Sequence, residues 1–339
     1  MAAATYVVRR GEIKMTSPFD GLEVDQPMRP SARAFDFDLE HRLDSVVVLH
    51  ARVPEDAYTA KTLSTDRLGN GVVIGADGLV LTIGYLITEA EEVTLITNDG
   101  RHVPAHPLGY DQASGFGLVH ALEPLGLPAA PLGDSRKLGP RDPVILAGGG
   151  GVSHAVAGRV IARAPFAGYW EYLLDEALFT APGHPHWSGA ALIGPSGAII
   201  GVGSLQMQQQ APGGQPTLIN MSVPIELLPP ILDDLSRGRA AQAPRPWLGV
   251  YAQDDGDHVV VMDVAADGPA ARAEMRAGDV ILAVAGEAVA SLADFYAALW
   301  ALGPAGAIAP LRLRRERDVF DVEVRTIDRA SKLRRRRFN

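Results

Sequence analysis

The chain has 339 residues, 47% of them hydrophobic and 21% charged, with 36 Gly, 25 Pro, only 6% aromatics and no Cys. This composition excludes a disordered, collagen-like or coiled-coil protein, and the lack of Cys excludes disulfides, a thiol nucleophile and a thiolate metal site. The formal net charge is −9, yet residues 329–339 carry Arg329, Lys332 and Arg334 to Arg337 and no acid, so an acidic body unsuited to a nucleic-acid groove ends in a basic tail.

Residues 1–40 mix charge, Pro and Ser without a sustained period and read as an extension. The opening MAAATYVVRR places its basic residues after a short apolar stretch, the reverse of a secretory signal. No apolar run approaches the roughly eighteen residues of a membrane span, so no span is expected. The cytoplasm is the location these features suggest.

Strands are expected at residues 45–52, 71–74, 79–82, 93–97 and 101–105, with a polar loop up to Leu68. Turns at 75–78 and 98–100 close two hairpins. Further strands are expected at 117–121, 143–147, 155–163, 190–193, 198–203 and 217–222. Short strands joined by Gly-rich turns point to a β-barrel or sandwich over residues 41–237. A helix over 224–235, with Ile225, Leu228, Ile231, Leu232 and Leu235 on one face, closes this unit.

Residues 238–246 read as a linker, and 329–339 as a solvated basic tail. Between them, residues 247–328 alternate strands (248–251, 259–264, 280–284, 309–314, 319–325) with two helices. One helix is expected over 269–277, capped by Asp267 or Gly268 and stopped by Gly278. The other runs over 292–302 behind a Ser291 cap. The unit is a small α+β module.

Trp247-Leu248-Gly249-Val250 before a strand, followed by the Gly268-Pro-Ala-Ala-Arg-Ala-Glu-Met-Arg-Ala-Gly-Asp-Val-Ile-Leu282 stretch, resembles a bacterial PDZ domain. That resemblance implies a loop at Trp247, Leu248, Gly249 and Val250 whose N–H groups receive a peptide's terminal carboxylate, while the peptide extends the sheet edge. A PDZ fold used only as an internal docking arm is the alternative.

The first unit resembles the trypsin-like domain of the HtrA (DegP) serine proteases. The residues that carry this are Gly69-Asn-Gly-Val-Val-Ile-Gly-Ala-Asp-Gly-Leu-Val-Leu-Thr82, Asp99-Gly-Arg101 and Pro131-Leu-Gly-Asp-Ser135, followed by helix, linker and PDZ. The fold implied is mainly β, a trypsin-like double β-barrel followed by the small α+β PDZ domain. Family members trimerise through N-terminal aromatics, a role open to Phe35 and Phe37, although packing onto the barrel explains them equally well.

The catalytic positions depart from the family. Ser188 stands at the nucleophile, but Tyr85 stands where the family has His, and Gly115 where it has Asp. His186 replaces the Gly whose N–H helps to form the oxyanion hole, and a Cβ there opposes the backbone turn required. A serine hydroxyl needs an adjacent base held by a third group. A tyrosine of ordinary pKa ~10 stays protonated at neutral pH and does not serve.

His184 and His186 lie too close in sequence to Ser188 to replace the base readily, and as a metal pair they lack a third ligand; a surface loop is the simpler reading. His102, His106, His120 and His154 are expected to face solvent. Tyr85 and Trp187 are expected to fill the former cleft, as packed core or as an apolar peptide patch. The Gly148–Gly151 run lacks the Lys-Ser/Thr of a phosphate loop.

The sequence therefore suggests a catalytically inactive HtrA-like pseudoprotease. It would bind peptides, unfolded segments or protein C-termini through its PDZ domain as a scaffold, chaperone-like binder or regulator, as a homo-oligomer or joined to active relatives. The alternatives are an active serine endopeptidase that uses Ser188 with a non-standard base, and a purely structural oligomer. No cofactor, metal or nucleic acid is expected, and the periplasm, usual for the family, is the alternative location.

Overall fold

A computed structural model of the chain describes residues 23–210 and 216–334. Short apolar-alternating segments close two barrels before the chain enters its C-terminal module. The first barrel joins β1 (Val46–Arg52), β2 (Asp66–Val73), β3 (Leu79–Ile83), β4 (Glu92–Ile96), β5 (His102–Tyr110) and β6 (Phe116–Ala121) in the order β1-β2-β3-β6-β5-β4. In β5 the alternation is visible directly: Val103 and Ala105 are buried, while His102, Pro104 and His106 face outward.

The second barrel joins β7 (Pro143–Ala147), β8 (Ala155–Gly168), β9 (Tyr172–Ala181), β10 (Ala191–Ile193), β11 (Ile199–Gln210) and β12 (Pro216–Pro224) in the order β10-β11-β12-β9-β8-β7. A continuous apolar core runs through both, from Leu49, Leu81 and Leu118 to Ile145, Ile193 and Met221. The C-terminal sheet orders β13 (Val250–Asp255), β14 (His258–Val264), β15 (Val280–Val284), β17 (Ile308–Arg315) and β18 (Asp318–Arg325), with the short β16 (Glu287–Ala288) beside β15. A helix, Leu292–Ala301, is capped by the Ser291 side chain and buries Phe295, Tyr296 and Leu299 against this sheet.

Several expectations need correction. The polar loop to Leu68 ends earlier, because β2 begins at Asp66 and the buried Arg67 donates to the Tyr85 and Thr88 carbonyls. β8 runs on to Gly168, and β9 was not anticipated at all: Asp175 and Glu176 interrupt its apolar pattern and hide the period of two. The helix expected over 224–235 is broken into a 3-10 turn, Ile225–Leu227, and one α-turn, Leu232–Ser236, because Pro229 and Pro230 intervene. The helix after Gly268 stops at Arg272, with Glu274 at a φ of +58°.

The basic tail is not simply solvated. Arg329 donates to Tyr110 and Gln112, and the Arg334 N–H donates to Glu89 while its guanidinium pairs with Asp56 and Glu91. Residues 335–339 and 1–22 lie outside the described residues. Phe35 and Phe37 pack on each other with ring centroids 5.3 Å apart, and on the main core. His154 and His184, expected in solvent, are both buried.

One side chain fastens the two barrels together. Asn70, on β2 and fully buried, donates from Nδ2 to the His186 and Ser188 carbonyls (3.0 Å each) and accepts from the Gly149 N–H at 2.9 Å. Its own N–H donates to the Ser188 carbonyl at 2.8 Å, and its carbonyl accepts from Thr82 Oγ1 at 2.6 Å. Every polar atom of the residue is used. Asn70→Ala strands the buried Gly149 N–H and His186 carbonyl, and unsatisfied groups of this kind cost ~1–3 kcal/mol each. Urea denaturation should show a loss on the order of 3 kcal/mol.

Candidate functional site

The cleft lies where the corner after β3 of the first barrel meets the β9–β10 loop of the second. The short helix α1 (Gly84–Ile87) follows β3 directly and points Tyr85 toward Ser188. The Tyr85 hydroxyl lies 2.6 Å from Ser188 Oγ and 2.8 Å from the Ser204 carbonyl. A carbonyl only accepts, and a neutral phenol has a single proton. That proton goes to Ser204, so Ser188 donates its own to the phenol oxygen. The geometry of a nucleophile and its base is kept, but the acceptor is a neutral phenol. Burial pushes the Tyr85 phenol well above its usual pKa, which moves the phenolate still further from neutral pH.

Gly115 faces this corner, and its carbonyl accepts from the Gly84 N–H at 2.7 Å. It holds a φ of +84°, in the region that favours glycine, and a Cβ would sit 2.9 Å from the Tyr172 hydroxyl. That hydroxyl in turn donates to the Ser114 carbonyl at 2.7 Å, and burial pushes its phenol up as well. A phenol thus fills the space beside Gly115 where a carboxylate would begin.

The loop before Ser188 is held by histidines in structural roles. The His186 N–H donates to His184 Nδ1 at 2.8 Å, which engages one of the two amides expected to line an oxyanion hole. His184 Nε2 lies 2.8 Å from the His154 carbonyl, so this nitrogen carries the proton and the ring is the neutral Nε2–H tautomer. Asn220 Oδ1 accepts from the His184 N–H, and Gln206 Nε2 donates to its carbonyl. With both nitrogens committed, His184 is no substitute base for Ser188. Trp187 packs half-buried on the second barrel's inner cluster. Among the described residues no group of three His, Cys, Asp or Glu is placed to hold a metal.

Of the four residues expected at the PDZ carboxylate loop, three converge. The N–H groups of Leu248, Gly249 and Val250 donate to the Glu171 carboxylate at 3.1, 2.7 and 3.0 Å. Gly249 makes this possible with a φ of +78°, in space where a Cβ would meet the Trp247 ring at 2.9 Å. Trp247 itself stands apart: its N–H pairs with the Ile327 carbonyl, and its buried ring meets Tyr58 edge-on. Burial pushes the Glu171 carboxyl up to about 7, against the pull of the loop's N–H groups.

Glu171, Asn70, Tyr172 and Asn220 went unnoticed at the level of sequence. The available signal for the first and third was the aromatic run Tyr169-Trp170-Glu171-Tyr172, dense for a chain with 6% aromatics.

Together, a trypsin-fold cleft and a following PDZ groove define the class. A trypsin-like peptidase domain model matches residues 69–202, and a PDZ domain model matches residues 246–326. The probable periplasmic serine endoprotease DegP-like of Halomonas elongata is 29% identical over 241 residues, covering 66% of this chain and 49% of that protein. The serine endoprotease DegS of Escherichia coli K12 is 25% identical over 278 residues, 77% of each chain. The chain spans about half the length of the DegP-like relatives it matches.

Among solved structures, the HtrA-type protease AlgW with decapeptide shares the fold at a TM-score of 0.52 and 19% identity, covering 89% of this chain and 100% of that one. AlgW with tripeptide gives 0.50 and 22%, covering 88% and 97%. The trypsin-like domain followed by a PDZ domain is the arrangement in which the chain resembles the HtrA-type proteases. The DegP-like relatives are named as periplasmic, which lends no support to the cytoplasmic expectation. Among the described residues no helix is long and apolar enough to cross a membrane.

His184 gives the site a pH dependence. Burial lowers its pKa from 6.5 to about 4, so the unfolded chain takes up the proton first as pH falls. The associated stability is complete above about 6.5 and is lost as pH falls through about 4, a total on the order of 3 kcal/mol. Urea midpoints should fall over this window, and less steeply in His184→Gln.

Proposed function

We propose that this chain is a catalytically inactive HtrA-family member whose output is the holding of peptide or protein termini by its PDZ domain. The observation that carries this is the Tyr85 hydroxyl at 2.6 Å from Ser188 Oγ with its own proton directed to Ser204. Ser188 has a hydrogen-bond acceptor but no base. The glycine at 115 supplies no carboxylate to orient one, and the His186 amide is bonded elsewhere. Triad losses of this kind lower turnover by roughly 10⁴–10⁶. A scaffold, chaperone-like or regulatory role follows, alone or assembled with active relatives, and the relatives' names favour the periplasm as its setting.

Purified protein and its Ser188→Ala variant should digest unfolded casein equally poorly and should both fail to label with a fluorophosphonate. Labelling and cleavage that vanish only in the variant would establish the alternative, a serine endopeptidase with a non-standard base. Tyr85→Phe provides a second check. It removes the bonds to Ser204 and Ser188 and so should lower stability by about 1–3 kcal/mol in urea, while Ser188 stays unlabelled.

A further inference from the structure

The PDZ groove lies between the β13 edge and the helix Leu292–Ala301, and the tip of the β8–β9 hairpin enters it. The Glu171 carboxylate sits on the N–H groups of Leu248, Gly249 and Val250. Farther along, the Ala252 N–H on β13 donates to the Tyr169 carbonyl at 3.1 Å, so the tip extends the sheet edge by main-chain bonding, as an added peptide strand does. From the helix, Tyr296 donates its hydroxyl to the Gly168 carbonyl at 2.8 Å and accepts from the Glu171 N–H at 3.2 Å. Ala167 and Leu173, on the two arms of the hairpin, pack on the module's core. Glu171 holds a φ of +59°, uncommon for a residue with a Cβ, and this turn carries its side chain to the loop.

We propose that residues 168–171 are an internal ligand of this PDZ domain: the Glu171 side-chain carboxylate takes the place of a peptide's terminal carboxylate, and an external C-terminus enters only when the tip withdraws. This rests on the peptide-binding reading of the domain. The tip also indicates the ligand class. Tyr169 lies beside Tyr251 with ring centroids 6.2 Å apart, two residues before the carboxylate-bearing position. The fitting partner is a free C-terminus with an aromatic side chain third from its end. Its apparent affinity is the intrinsic one reduced by the fraction of open molecules.

The test uses the full chain, as wild type, Glu171→Gln and Glu171→Ala. The probe is a fluorescein-labelled peptide pool with tyrosine third from a free carboxylate and the other positions random; the amidated pool is the control. Anisotropy should show binding tightened roughly tenfold to a hundredfold in Glu171→Ala, as competition by a charged acceptor is removed. Glu171→Gln should fall between the two, and the amidated pool should bind none of them. In parallel, hydrogen exchange without peptide should quicken at the amides of Leu248, Gly249 and Val250 in both variants. Unchanged exchange at these amides, or equal peptide affinity in all three proteins, overturns the proposal. Faster exchange with no pool bound to any protein upholds the internal contact and overturns the peptide-binding reading.

Discussion

The arrangement of this molecule depends on one buried amide. Asn70 belongs to the first barrel by sequence, yet four of its five hydrogen bonds reach the Ser188 loop and the Gly149 turn of the second. A buried polar side chain with all its bonds made is worth most where it specifies a single arrangement. Here it helps to fix the register between two barrels whose apolar contact is non-directional. The position of Ser188 relative to Tyr85, and so the chemistry of the cleft, follows from that joint.

The cleft around Ser188 is lined by a network of hydrogen bonds. Several polar groups around Ser188 are paired with one another. The phenol serves Ser204, the His186 amide serves the His184 ring, and that ring serves the His154 carbonyl. The result is a closed network in which protons have fixed owners. Such a network adds rigidity to the loop, because opening any one bond leaves a buried group unpaired.

Much of the fold was legible because its signals are local. The turns at 75–78 and 98–100 and the strands beside them carry Gly, Asp and Asn where the backbone needs them, and Ser291 caps its helix as expected. The broken helix at Pro229 and Pro230 was equally present in the sequence, since two prolines in a helix interior remove two N–H donors. β9 was hidden by Asp175 and Glu176, which obscure its alternation. At the site, the positions of Ser188, Tyr85, Gly115 and the Leu248–Val250 loop came from motif resemblance. The partners Asn70, Asn220 and Glu171 were not visible, because they meet their targets 36 to 118 residues away in the chain. No local pattern encodes a contact of that range.

Glu171 ends the hairpin turn at a φ of +59° and Tyr172 opens β9, so the two neighbours leave the backbone in different directions. One reaches into the PDZ loop; the other rests beside Gly115. A single hairpin, with its stem in the second barrel, therefore touches both. The contents of the PDZ groove and the packing of the cleft are thus held by adjacent residues.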